Sequence, residues 1–409
     1  MTNTLKPETS DQVIEAIRGS LAEQQALDVV AGGSKARLGR PPQARHRLDV
    51  SALSGIVQYE PEELVLTARA GTPIAEIEAA MAAERQQLAF EPPNLGALLE
   101  TARPAGDGTL GGAIACNASG PRRIKAGAAR DHVLGFSAVS GRGEAFKSGG
   151  RVVKNVTGFD LSKLIAGSFG TLAVMTEVSV RALPAPADTQ TLLLLDASDA
   201  EAVRAMTLAL QTPCEVSGAA HLPRVVAAKS MVAAVFDAGG PVTAIRLEGA
   251  ARSVGSRVDV LRALLAPLGL IRVIGKAESA ALWAEIRDVW YFLDVPDWQV
   301  WRLSVPPAAG ATVAHSLLHQ RGGLAYYDWG GGLIWLALPP TDDARHGIVR
   351  AAMAACGGDA TLIRAEPLVR THVPVFQPRS DALTDLAARV KQGFDPHHVL
   401  NPGRMYPGS

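Results

Sequence analysis

Cysteine is scarce in this 409-residue chain, with only Cys116, Cys214 and Cys356 and no C-x-x-C pair. Neither a disulfide framework nor a four-cysteine iron–sulfur cluster can be built from this chain alone, and a reducing compartment fits. Net charge is also missing. Forty basic side chains face forty acidic ones, giving a pI near 7.1, so the electrostatic footprint of a nucleic-acid or membrane-surface binder is absent. No uncharged apolar run reaches 18 residues, because the oily stretch 258–275 is broken by Asp259, Arg262 and Arg272. No direct membrane insertion is expected, and residues 1–10 lack the pattern of a secretory signal. The Rossmann alternative is weak, since no G-x-G-x-x-G lies between a strand and a helix with an acidic residue about 20 positions later.

What is present is an ordinary globular composition, 47% hydrophobic, on a chain long enough for more than one core. Ser10 is read as the N-cap of a helix carrying Val13, Ile14, Ile17 and Leu21 on one face, followed by a buried strand over 26–31. Strands are expected around 56–59 and 64–70, then a helix with Thr72 as N-cap and Pro73 as its first residue. Residues 92–120 are glycine-rich and aperiodic, and 172–183 reads as a closing strand. The Leu183-Pro184-Ala185-Pro186-Ala187 run reads as a linker. Beyond it lie a second α+β region, with a helix after Ser198 and another near 254–265, and all six tryptophans, between Trp283 and Trp335. The expected domains are 1–184, 185–378 and a segment 379–409 that returns to the first.

Chemistry concentrates where side chains are small. A diphosphate is best met by several backbone N–H groups converging in a turn without Cβ atoms. Gly32, Gly33 and Gly39 around Ser34 and Lys35 suit that. A wide planar ring calls for small residues with free polar groups beneath it, and Thr109, Gly111, Gly112, Ala115 and Asn117 suit that.

Two longer stretches, 104–121 (PAGDGTLGGAIACNASGP) and 158–176 (GFDLSKLIAGSFGTLAVMT), together resemble the fingerprint of the vanillyl-alcohol-oxidase or PCMH-type FAD flavoproteins. Asn401-Pro402-Gly403-Arg404 is similar to the segment that closes many members. The resemblance implies an α+β fold, with a two-subdomain PCMH-type FAD-binding domain followed by a smaller α+β cap. It implies FAD contacts from Gly32, Gly33, Ser34, Lys35, Pro104, Gly106, Thr109, Leu110, Gly111, Gly112, Ala115 and Asn117. From the later segments it adds Gly158, Asp160, Gly167, Ser168, Gly170, Thr171, Val174 and Asn401. Family members with covalent flavin usually carry a histidine in or just after the first loop. Residues 32–40 have none and His46 lies too far on, so non-covalent FAD is expected.

Within that superfamily, 151–160 (RVVKNVTGFD) and 394–403 (FDPHHVLNPG) look like the FAD-binding subunits of bacterial glycolate oxidases. The resemblance implies a sister flavoprotein catalytic subunit, an iron–sulfur subunit, and a cytoplasmic location with any membrane association made through partners. Hydroxyacid-oxidising relatives carry G-D-G-N-x-H and E-H-G-[IV]-G, which supply metal and substrate ligands. This chain has Tyr326-Tyr327-Asp328-Trp329-Gly330-Gly331-Gly332 at the first place and nothing comparable at the second. Oxidising a hydroxy acid needs a base and a cation for the carboxylate, so a hydroxyacid site in this chain is doubtful, and no metal site is expected. His372 is the weak remaining candidate for a base. His315 and His319, at helical spacing, fit a solvent-facing helix better than a metal pair. Arg122, Arg123 and Lys125 are equally a solvated loop or cations beside the flavin. The alternatives are a non-redox scaffold with a vestigial flavin site and a stand-alone flavin oxidase.

Overall fold

Thr9, one residue before the expected cap, starts the first helix in the computed structural model, which describes residues 3–101, 108–150, 159–319 and 321–408. The Thr9 hydroxyl accepts from the Gln12 amide at 3.3 Å, and α1 runs Ser10–Ala22. Its Val13 and Ile17 are fully buried, each contributing about 1.5–3 kcal/mol of apolar burial. They pack on a parallel sheet of β1 (Asn3–Leu5), β2 (Leu27–Val30) and β3 (His46–Asp49), in the order β1-β3-β2. Val139, Val174, Val399 and Leu400 complete this small core.

The chain continues through β4 (Ile56–Glu60), β5 (Val65–Arg69), α2 (Ile74–Ala83), β6 (Gln86–Gln87), α3 (Leu110–Ala115), α4 (Arg123–Ala126), β7 (Val133–Ser140) and β8 (Ala145–Gly149). Then come α5 (Leu161–Ile165), β9 (Ala173–Arg181) and β10 (Leu183–Pro184). A second, antiparallel sheet has the order β4-β5-β9-β7-β8. Ile74, Ile77 and Met81 of α2 and Leu110, Ala113 and Ile114 of α3 pack on it. Two local expectations fail here. Thr72 does not cap α2, because its hydroxyl donates to Arg69 O at 2.7 Å and accepts from the Gly55 amide at 2.9 Å. The expected linker is partly sheet, since Leu183 and Pro184 pair with Gln87 and Gln86.

Contacts divide the described residues into two compact units, one of 1–119, 128–185 and 378–409, the other of 120–127 and 186–377. The second unit carries α4 and an eight-stranded antiparallel sheet. Its strands are β11 (Asp188–Leu195), β12 (Gly218–Leu222), β13 (Val242–Gly249), β14 (Ile271–Ile274), β15 (Gln299–Ser304), β16 (Leu324–Asp328), β17 (Leu333–Leu338) and β18 (Asp359–Arg364). Their order is β14-β11-β13-β12-β16-β17-β15-β18. Its helices are α6 (Asp199–Leu210), α7 (Arg224–Ala227), α8 (Ala233–Phe236), α9 (Ala251–Leu265), α10 (Lys276–Arg287), α11 (Gly310–Leu318), α12 (His346–Cys356) and α13 (Pro367–His372). Ser198 and Glu201 form a capping box at the start of α6. Trp283, Trp301 and Trp335 are buried, Trp298 and Trp329 are half-buried and Trp290 is exposed, so half of the tryptophans in this window are core. The last helix, α14 (Asp381–Phe394), belongs to the first unit.

Arg122, three residues past the end of the first unit's segment at Ser119, makes a two-pronged ion pair with Glu248 on β13, both contacts at 2.9 Å. Burial alone would raise the Glu248 pKa. Arg246 and Arg122 outweigh it and hold the carboxyl at about 2, against 4.5 when unfolded. A folded pKa below the unfolded one gives stabilisation that is complete above about pH 4.5 and lost as the pH falls through about 2. The shift corresponds to about 3 kcal/mol. Glu248→Gln is therefore expected to remove that component of acid sensitivity. Urea unfolding between pH 6 and pH 2 checks it, and identical acid limbs in the two proteins would contradict it.

Candidate functional site

An open cleft lies in the first unit. Its walls come from the end of β2 and the following turn (Val29 to Ala31, Gly33 to Ala36), from Val50 and Ala70, from α3 with Thr109 and Cys116, from Phe169 and Gly170 leading into β9, and from Asn401 and Arg404. The turn after β2 bends where Gly33 takes φ +83°, a conformation that glycine adopts without steric cost. The amides of Gly33 and Ser34 donate to no acceptor among the described residues. Such successive unpaired N–H groups form an anion-attracting concavity.

The α3 wall is different. A Cβ on Gly111 would stand 2.8 Å from both the Cβ and the carbonyl oxygen of Ala70, so only glycine lets the helix seat there. The Leu110 amide donates to Thr72 O, that of Gly111 to Ala70 O, and that of Gly112 to Thr109 Oγ1. The expectation of free polar groups along this segment is thus corrected for its N–H groups. Helix capping and the β5 end have already engaged them.

The C-terminal segment clasps the opposite wall. Asn401, at φ +44°, accepts from the Val29 amide at 2.7 Å and donates from Nδ2 to Phe169 O at 2.8 Å. Arg404 donates to Ala36 O. Lys391, buried on α14, donates to Thr171 O, Leu400 O and the Asp395 carboxylate. On the α3 side, the amides of Gly167 and Phe169 donate to Ile114 O and Ala115 O.

Of the residues expected from sequence, Gly33, Ser34, Lys35, Thr109, Gly111, Gly112, Ala115, Gly170, Val174 and Asn401 line this one cleft. Others stand behind the wall. Gly32 packs near Thr109, Leu110 is core, Asn117 accepts from the Arg130 amide, and Gly167 and Thr171 brace the loop from Ile165 to Gly170. Asp160 caps α5 and pairs with Lys163 on the surface. Pro104, Gly106 and Gly158, with the 151–158 motif, lie outside the described residues. His372 is exposed at the end of α13, and His315 and His319 are exposed with rings 5.7 Å apart. Lys125 pairs with Glu215 and Arg123 stacks on Trp329, all within the second unit. Sequence reasoning missed Cys116, Phe169 and Arg404 as lining residues, although Arg404 stands in the quoted closing motif.

The cleft is electropositive. Lys35 and Arg404 are both nearly buried, and burial depresses the Arg404 pKa while Asp28 opposes it. Burial also raises the Cys116 thiol, which Lys35 and Arg404 pull back. In addition, the buried Ser168 hydroxyl, beside Phe169, has no hydrogen-bond partner among the described residues. Unpaired amides, two cations and an apolar floor suit an elongated ligand with an anionic centre and flat ends.

Residues 2–149 match the FAD binding domain family. The glycolate oxidase subunit GlcE of Escherichia coli (strain K12) is 34% identical over 398 residues, 97% of each chain. The chain belongs to this family of FAD-linked glycolate oxidase subunits. Its fold is PCMH-type. The 4-ethylphenol oxidase from Gulosibacter chungangensis superposes with a TM-score of 0.72 at 13% identity, covering 99% of this chain and 89% of that one. The p-cresol methylhydroxylase gives 0.70 at 12%, covering 98% and 88%. No described helix is long and apolar enough to cross a membrane.

Asn401→Ala in this glycolate oxidase subunit homologue would remove the side-chain acceptor of the Val29 N–H and the donor to Phe169 O. A polar group that loses its hydrogen bond costs roughly 1–3 kcal/mol. A loss of that order is expected in denaturant unfolding, and an unchanged midpoint would show that the clasp is dispensable.

Proposed function

We propose that this chain is the FAD-binding subunit of a multi-subunit glycolate (2-hydroxyacid) oxidase or dehydrogenase, carrying or supporting electron transfer from substrate to an external acceptor. The observation that carries this reading is the meeting of four stretches distant in sequence, around Gly33, Thr109, Gly170 and Asn401, in a single cleft. FAD, when bound, supplies the two-electron acceptor chemistry. In this reading the Gly33 and Ser34 amides, with Lys35 and Arg404, hold the diphosphate. The small residues Gly111, Gly112 and Ala115 let the ring lie against main chain, and Phe169 and Gly170 border the rest. Gly32, Leu110, Asn117, Gly167, Ser168 and Thr171 keep these walls in place.

The flavin is held without a covalent bond in this reading, because the turn 32–40 offers no histidine. The partners are a sister flavoprotein that oxidises the hydroxy acid and an iron–sulfur subunit that takes electrons onward. Two observations support them: the relative is named as a subunit, and this chain's three cysteines are widely spaced in sequence, too few for a four-cysteine cluster. The expected place is the cytoplasm.

The purified protein is expected to carry about one FAD per chain, released into the supernatant when the protein is precipitated with acid. A colourless protein would favour the scaffold reading, and flavin retained in the pellet would contradict non-covalent binding. Gly33→Val, which puts a branched side chain where the backbone has positive φ, is expected to weaken FAD about tenfold or more, that is by at least about 1.4 kcal/mol. Equilibrium dialysis measures it, and unchanged affinity would remove the turn from the site.

A further inference from the structure

The Tyr326–Gly332 motif of the second unit has no part in the cleft, yet it holds an uncommon group of charges. Trp329 sits at φ +53° with its amide on Asp328 Oδ1 at 2.7 Å and its indole N–H on Gly120 O at 3.1 Å. The ring is therefore fixed at both ends. Two guanidinium groups share it: Arg123 of α4 lies 4.6 Å and Arg302 of β15 lies 4.9 Å from its centroid. A cation over an indole face is attracted by its quadrupole, but two cations on one ring repel each other.

Arg302 is the less compensated of the two. No carboxylate lies within 4.0 Å of it among the described residues, and its side chain makes no hydrogen bond to any of them. Burial, then Arg123, brings its pKa down to about 10, with Asp359 and Asp328 only partly opposing. Asp328 already accepts from the Trp329 amide. In the sheet Arg302 stands directly opposite Trp335 on β17 and Thr361 on β18, and directly opposed residues share a face. The half-buried Thr361 hydroxyl also makes no hydrogen bond among the described residues. A half-buried guanidinium with no counter-ion beside it is a place where an anion from solution can supply the missing charge.

We propose that Arg302, with Thr361 beside it on the sheet and Arg123 on the same indole, binds the carboxylate of a small 2-hydroxy or 2-oxo acid. The choice of a carboxylate rests on the glycolate oxidase reading. The anion site itself rests on the unpaired guanidinium and hydroxyl. A guanidinium fork matches a carboxylate with two parallel N–H···O bonds, and Thr361 offers a third donor.

Thermal unfolding of the flavin-loaded protein against glycolate, with sodium chloride at equal ionic strength as reference, tests this. Glycolate is expected to raise the midpoint saturably in the wild type. Arg302→Gln should weaken the apparent affinity at least tenfold while its unliganded midpoint stays equal or higher, because the charge removed had no counter-ion. Arg302→Lys should recover only part of the affinity, and Thr361→Val should lose about threefold. Absence of a glycolate-specific shift in flavin-loaded wild type, or an equal shift in Arg302→Gln and Thr361→Val, overturns the site and leaves the FAD reading standing. A colourless protein that keeps the Arg302-dependent shift supports the site and sinks the FAD reading.

Discussion

The first unit depends on one constraint: segments far apart in sequence must present bare main chain to the same cleft, and side-chain anchors from the C-terminal segment join main-chain bonds such as those from the Gly167 and Phe169 amides in holding them there. Glycines allow close approach but do not cause it. Asn401 links β2 to the Phe169 loop, Arg404 links to the turn after β2, and Lys391 links α14 to Thr171 and Leu400. The Lys391–Asp395 pair behind these links is almost fully buried. Asp395 also accepts from the Val399 and Leu400 amides. Such a pair adds little net stability over an apolar one, but removing one partner leaves a buried charge, which is severe.

The second unit meets its polar requirements differently. Its sheet is covered by helices, and its buried polar side chains answer one another: Arg246 and Arg122 on Glu248, the Ser279 hydroxyl and the Trp283 indole on the Thr191 hydroxyl, Tyr327 and His221 on Asp199. Against these paired groups, Arg302, with no carboxylate within 4.0 Å among the described residues, stands out. The segment 120–127, which follows α3 closely in sequence, contributes Arg122, Arg123 and Ile124 to this unit.

Much of this was legible in the sequence because it rests on local rules. Period-3.6 apolar spacing gave α1 and α6, β-branched runs gave β9, and small-residue segments marked the cleft. Caps were legible to within a residue or two: Ser198 was right, whereas Thr9 and Thr72 turned on which hydroxyl geometry the preceding loop allowed. Which face of a loop meets the cleft was not legible. Gly167, Ser168 and Thr171 flank Phe169 and Gly170, and long-range links set which of them turn inward: the Gly167 and Phe169 amides to α3, and Asn401 and Lys391 to Phe169 O and Thr171 O. Cys116 and Arg404 reach the site through contacts across more than a hundred residues, which no local pattern encodes. The basic run Arg122 to Lys125 was ambiguous for the same reason, since its partners Glu248, Trp329 and Glu215 lie far along the chain.

The central claim is that these dispersed segments form one binding surface for the flavin dinucleotide. Amide hydrogen exchange on the protein with and without FAD tests it most directly. Protection on FAD binding should concentrate in peptides covering 29–36, 109–116, 169–175 and 399–404, with the Gly33 and Ser34 amides among the most affected. Protection confined to other regions, or limited to one of these peptides, would contradict the account.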